Sequence, residues 1–119
     1  MSGSGPVHGM QGLPRRWTHV RVTGPSMSPT LKDGDRLLVA RADRARPGEV
    51  VIARFPARPE LLVVKRCVRE VPGGWWVEGD SAVVHSDSRT FGPAVVVGRV
   101  LARVYPRPGR LPAAPATGL

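Results

Sequence analysis

Short apolar runs alternate with turn signals from about residue 17 to residue 106, and no stretch carries a helical period of useful length. This pattern predicts strands over residues 18–23, 36–41, 49–55, 61–71, 75–78 and 95–105. Turns are expected at Lys32-Asp33-Gly34-Asp35, at Arg46-Pro47-Gly48, between Pro56 and Pro59, and at Pro72-Gly73-Gly74. The last of these should close two long antiparallel strands into a hairpin, because Gly supplies the positive φ that tight turns require. The expected fold class is all-β: one small domain of antiparallel sheets.

The two ends read differently. Residues 1–16 are rich in Gly, Ser and Pro without an apolar period and are expected to be a flexible lead-in; residues 107–119 read as a flexible Pro-rich tail. That leaves residues 17–106 as the core domain, and 119 residues suffice for only one such core. The 41% hydrophobic content with 5% aromatic suits a strand-rich unit built on Val and Leu.

The net charge of +9 raises nucleic-acid binding. Its cations are 16 Arg and 2 Lys, scattered rather than clustered, so nucleic acid is not expected as a partner. The same charge would suit an anionic membrane surface or an acidic substrate segment. Cys67 is the only cysteine, so no intrachain disulfide can form. No run approaches the roughly 18 to 20 apolar residues that span a bilayer, and the N-terminus lacks the charged-then-apolar order of a secretory signal. The expectation is a cytoplasmic protein with no transmembrane helix, the alternative being a peripheral position on a membrane. No metal or cofactor is expected, because His8, His19, His85 and Cys67 show no ligand spacing.

Three segments carry candidate chemistry. In Gly24-Pro25-Ser26-Met27-Ser28-Pro29-Thr30-Leu31, Ser26 stands between a Gly-Pro corner and a second proline, which fixes its hydroxyl on a tight turn. In Leu61-Leu62-Val63-Val64-Lys65-Arg66-Cys67-Val68, strand alternation puts Lys65 on one face with Leu61, Val63 and Cys67, and Arg66 on the other with Leu62, Val64 and Val68. A lysine desolvated on an apolar face loses proton affinity and becomes a usable general base, whereas one that snorkels to water does not. In the loop from Gly79 to Pro93, Asp87 and Arg89 are close enough to pair, with the Ser86 and Ser88 hydroxyls beside them.

In this order, the three segments resemble the boxes of the type I signal peptidases and the mitochondrial inner membrane peptidases. GPSMSPTL with DGDRLLV resembles the nucleophile box, VVKR the general-base box, GDSAVVHSDSRTFGP the box that closes the site, and GRVLARVYP the last strand. The resemblance implies a signal-peptidase-like catalytic core and a serine endopeptidase that removes an N-terminal leader from a precursor polypeptide. It implies Ser26 as nucleophile, Lys65 as general base, and Asp87 with Arg89 as the pair bracing the site. Gly24 stands where some members place an oxyanion hydroxyl, and His85 or Ser86 where a serine usually supports the lysine. The strings LLVVKR and GGWWV are similar to soluble relatives that process nickel superoxide dismutase precursors, which makes that precursor the first candidate substrate. Signal-peptidase-type processing at a membrane surface and a weakly active peptide-binding relative are the alternatives. A Ser26/His85/Asp87 triad would leave Lys65 unexplained, Lys32 lies in a solvated turn, and Cys67 sits in an apolar strand that disfavours a thiolate.

Overall fold

In the computed structural model, which describes residues 17–83 and 86–112, six strands form one antiparallel sheet. They are β1 (Trp17–Arg21), β2 (Arg36–Arg41), β3 (Val50–Phe55), β4 (Arg58–Val71), β5 (Gly74–Glu78) and β6 (Val95–Tyr105), with one helical turn, α1 (Ser88–Phe91), before β6. The sheet order is β1-β2-β6-β3-β4-β5, so the last strand is inserted at the centre. All six expected strands and the all-β class are present. α1 escapes a periodicity argument because four residues cannot establish a period.

β4 begins three residues earlier than the apolar run suggests. Phe55 pairs with Arg58 and Arg54 with Leu62, so residues 59–61 form a bulge opposite β3. Pro59 falls within that bulge, where its missing N–H breaks no ladder bond. At the other end of β4, Pro72 and Gly73 make the hairpin turn into β5, with Gly73 at φ 91°.

The two faces of the sheet carry separate cores, as the alternation of buried positions requires. Val20, Leu37, Val39, Val50, Ile52 and Val64 pack on one face together with Met27 and Leu31 from the loop after β1. Val51, Ala53, Phe55, Cys67, Val77 and Val96 pack on the other, where Phe91 of α1 lies against Phe55 with ring centroids 5.1 Å apart. At roughly 1.5–3 kcal/mol per fully buried large apolar side chain, these two layers are the main stabilising contribution.

Residues 107–112 return along β6. Gly109 and Arg103 exchange backbone hydrogen bonds of 2.8 and 2.9 Å, and half-buried Leu111 packs on the first core. The remaining residues of the expected tail, like the expected lead-in, lie outside the described residues.

Candidate active site

Ser26 sits in the loop between β1 and β2, and its neighbours fix where it points. Met27 and Leu31 are fully buried in the first core, and Leu31 N–H donates to the Met27 carbonyl at 2.9 Å while Ser28 N–H donates to the Pro25 carbonyl at 2.9 Å. The turn is thus anchored by apolar side chains on one side and its own hydrogen bonds on the other. Gly24 precedes it with φ 90°, a conformation that disfavours any side chain, and its N–H donates to Asp33 at 3.0 Å.

Lys65 arrives from β4, in register with Val51 of β3, and is only 2% exposed. Val51 and Cys67 belong to the second core, so Lys65 occupies the face that strand alternation assigns to it. Burial pushes the Lys65 amine below the ordinary lysine range; Asp87 partly restores its proton affinity and Arg89 lowers it again.

Ser26 and Lys65 line one cleft of about 350 Å³, together with Gly24 and Ser86. The walls are largely apolar, with Val22, Phe55, Leu61, Val63 and Phe91 among them, and Arg58 also borders the cleft. Four of the residues singled out in the sequence therefore meet at one place, although they come from three separate segments. His85 lies outside the described residues.

Asp87, next in sequence to Ser86 of this cleft, is fully buried and organises the loop after β5. Its Oδ1 accepts from Arg89 N–H and Nε, each at 3.0 Å, and its Oδ2 from Gly79 N–H at 2.9 Å and Arg89 Nη2 at 2.6 Å. Burial alone would raise the Asp87 carboxyl, but the hydrogen bonds from Arg89 and Gly79 and the guanidinium charge outweigh it and hold the group below the usual carboxylate range. Asp87 is also the N-cap of α1, while Ser88 Oγ accepts from Val77 N–H at 2.9 Å and stitches the turn to β5. Four accepted hydrogen bonds fill the capacity of a carboxylate, which leaves no lone pair for a histidine partner.

Sequence reasoning missed Gly79, Asp80 and Thr30 as parts of the site. Ser81 N–H donates to the Ser26 carbonyl at 3.0 Å, and the Gly79 α-carbon lies so close to that carbonyl that a Cβ would collide with it. Asp80, between them, is held by Arg66 Nε at 3.2 Å and Nη2 at 2.6 Å and by the Thr30 hydroxyl. The only signal in the sequence was the Gly-Asp pair itself. Gly79→Ala is expected to displace the Ser26 loop and to lower any turnover at this cleft by about 10²-fold, the penalty of a misplacement of about 1 Å. The check is turnover measured beside a thermal melt.

Cys67 is buried, and desolvation, helped by Glu49, raises its thiol pKa, so it is a packing residue rather than a nucleophile. Among the described residues no group of three His, Cys, Asp or Glu is arranged to hold a metal, and no helix is long and apolar enough to cross a membrane.

Residues 10–100 match the Peptidase S24-like family. The chain is 31% identical to mitochondrial inner membrane protease subunit 1 of Xenopus tropicalis, over 71% of this chain and 66% of the relative. It is 34% identical to mitochondrial ATP-independent inner membrane protease subunit 1a of Arabidopsis thaliana, over 75% and 70%. It is also 32% identical to mitochondrial inner membrane protease subunit 2 of Schizosaccharomyces pombe, over 76% and 67%. The chain thus spans about two thirds of the length of these relatives. Their names overturn the expectation of a cytoplasmic protein and point to membrane association. That expectation rested on the missing apolar run, which bears on a spanning helix and not on attachment to a bilayer surface. On the match over residues 10–100 and the identity to these proteases, the chain belongs to the Peptidase S24-like family, within the superfamily of the type I signal peptidases.

Proposed function

We propose that this chain is a serine endopeptidase that removes an N-terminal leader from a precursor protein at a membrane surface, using Ser26 and Lys65 as a dyad. The observation that carries the reading is a 2%-exposed lysine lining the same cleft as a serine held on an anchored turn. Burial makes the Lys65 amine easier to deprotonate, and in its neutral form it takes the proton of Ser26 Oγ as that oxygen attacks the scissile carbonyl. The negative charge on the resulting tetrahedral carbon's oxygen is met by backbone N–H groups, chiefly that of Ser26, since Gly24 offers no hydroxyl. The C–N bond then breaks, and Lys65 returns the proton to the leaving amine. Water, deprotonated by the same amine, releases the acyl group and regenerates Ser26.

Asp87 and Arg89 brace the loop beside Lys65 rather than exchange protons, and Ser86, which borders the same cleft as Lys65, is the hydroxyl assigned to support the amine. The apolar walls suit an extended peptide with small or apolar side chains. A nickel superoxide dismutase precursor is the first specific substrate to test, on the strength of the strings LLVVKR and GGWWV.

Ser26→Ala is expected to abolish processing of a leader-bearing precursor while leaving the circular dichroism spectrum unchanged, because a half-buried turn hydroxyl contributes little to packing. A folded Ser26→Ala protein that still processes at a rate near that of the wild type ends the proposal.

A further inference from the structure

Arg103 of β6 stands in register with Leu37 of β2, and its side chain is only 17% exposed. Its guanidinium joins three stretches of chain. Nη1 donates to the Thr30 carbonyl at 3.2 Å and lies 3.5 Å from an Asp35 carboxylate oxygen, while Nε donates to the Arg107 carbonyl at 2.8 Å. Thr30 follows Ser26 by four residues in the loop between β1 and β2, and Asp35 is the last residue of that loop. Arg107 opens the segment that returns along β6. That segment reaches the Ser26 loop by two further routes. Leu111 packs on the core that holds Met27 and Leu31, the apolar anchors of the Ser26 turn. The Pro112 carbonyl accepts from Arg66 Nη1 at 3.0 Å, and Arg66 grips Asp80, whose carboxylate accepts the Thr30 hydroxyl. Thr30 is therefore held at its carbonyl through Arg103 and at its hydroxyl through Asp80 and Arg66, and both holds end on residues 107–112.

We propose that Arg103 is a positioning residue for the reaction: with residues 107–112 it forms a brace behind the Ser26 loop that fixes where the nucleophile stands. The inference rests on the peptidase reading above and adds to it a segment that lies outside the three boxes. Neither Arg103 nor any residue of 107–112 lines the cleft, so the brace acts through the loop and not on substrate. Guanidinium suits the task because its five N–H donors sit in a rigid fork, which lets one side chain hold carbonyls of two segments and a carboxylate together. An ammonium is a point charge and would not fix their relative positions in the same way. Removing the guanidinium leaves the Thr30 carbonyl without its donor and Asp35 without its cation, and buried polar groups so deprived shift toward water. The Ser26 turn would move with them, since Thr30 and the Met27–Leu31 hydrogen bond belong to the same loop.

The test compares full-chain Arg103→Met and Leu111→Ser with Arg110→Gln, a control that removes a cation from an exposed position of the same segment. Each is assayed well below its melting temperature, so that loss of fold does not enter. Arg103→Met should lower kcat on a leader-bearing precursor by about 10- to 100-fold, up to the scale of a misplacement of about 1 Å, with KM little changed. The midpoint of kcat/KM against pH should stay in place, because the charges that act on Lys65 are those of Asp87 and Arg89. Leu111→Ser should act in the same direction, and the double variant should lose less than the product of the two single losses, since both loosen one brace. Amide exchange gives a readout that needs no activity. Ser28, Leu31 and Ser81, whose N–H groups bond within the Ser26 loop or onto it, should exchange faster in Arg103→Met than in the wild type or in Arg110→Gln. With an active wild type, native kcat or native exchange in Arg103→Met would overturn the brace and leave the dyad standing, as would an equal loss of kcat in Arg110→Gln. A wild type that processes no precursor, with exchange still faster in Arg103→Met, would instead end the dyad reading.

Discussion

Replacing Lys65 with arginine is expected to lower kcat/KM by about 10³-fold or more, as far as replacing it with alanine does. Arginine keeps the charge and most of the length, but guanidinium holds its proton throughout the usable pH range and cannot accept one from Ser26 Oγ. Lys65→Met should be equally inactive and yet more stable than the wild type at neutral pH. The sign follows from the direction of the shift. Burial lowers the Lys65 pKa in the folded state relative to the unfolded chain, so below the folded-state value the protein carries the full penalty of a buried ammonium. That penalty fades as pH rises through the folded-state value, because the folded protein then holds a neutral amine. The stability advantage of Lys65→Met should therefore be greatest at neutral and mildly acidic pH and shrink in alkali. Thermal melts of the two proteins across pH, run beside turnover, check both statements; a Lys65→Arg enzyme with near-native turnover would remove the dyad.

Asp87→Ala is expected to produce the largest loss of stability of any single change at the site, about 2–4 kcal/mol. The change strips Arg89 of both carboxylate oxygens, leaves the Gly79 N–H without its acceptor and removes the cap of α1. Arg89 is 36% exposed and can rehydrate, which keeps the loss below that of a fully enclosed ion pair. For a domain of this size the corresponding fall in melting temperature is about 10 °C. Because the Asp87 pKa lies below its unfolded value, its contribution is complete above the ordinary carboxylate range and is lost as pH falls through the depressed folded-state value. Asp87→Asn should accordingly fall short of the wild type at neutral pH and converge on it in acid. Turnover should fall with stability in both variants, since the loop that Asp87 holds also carries Gly79 and Ser81 against the Ser26 carbonyl.

Much of this architecture is local, and local features are legible in a sequence. The strands follow from alternation bounded by Gly and Pro, and the burial of Lys65 follows from its sharing a face with Val63 and Cys67. The early start of β4 was hidden because Pro59 reads as a corner, and only pairing with β3 reveals that it sits in a bulge. The insertion of β6 between β2 and β3 is a nonlocal choice that no window of sequence contains. The same is true of the support beneath Ser26. Arg66, expected on the face opposite Lys65, was readable as a strand residue, but its reach to Asp80 and to the carbonyls of Gly48 and Pro112 depends on where distant loops land. The meeting of Ser26 with Lys65 at one cleft was anticipated through the resemblance and not through spacing. The cytoplasmic location was the expectation that failed, overturned by the inner membrane protease relatives, because the lack of a long apolar run is silent about attachment to a bilayer surface.

The chain contains only two lysines, Lys32 and Lys65, so a lysine-labelled sample observed by NMR gives two side-chain amine signals, and Lys65→Arg assigns them. Titrating that sample while measuring kcat/KM against pH on the same preparation tests the claim that a neutral Lys65 amine activates Ser26. One signal should titrate below the ordinary lysine range and vanish in Lys65→Arg, and kcat/KM should rise with pH about the same midpoint. Two signals that both titrate in the ordinary range, or a kcat/KM profile whose midpoint does not move with the Lys65 signal, would contradict the account.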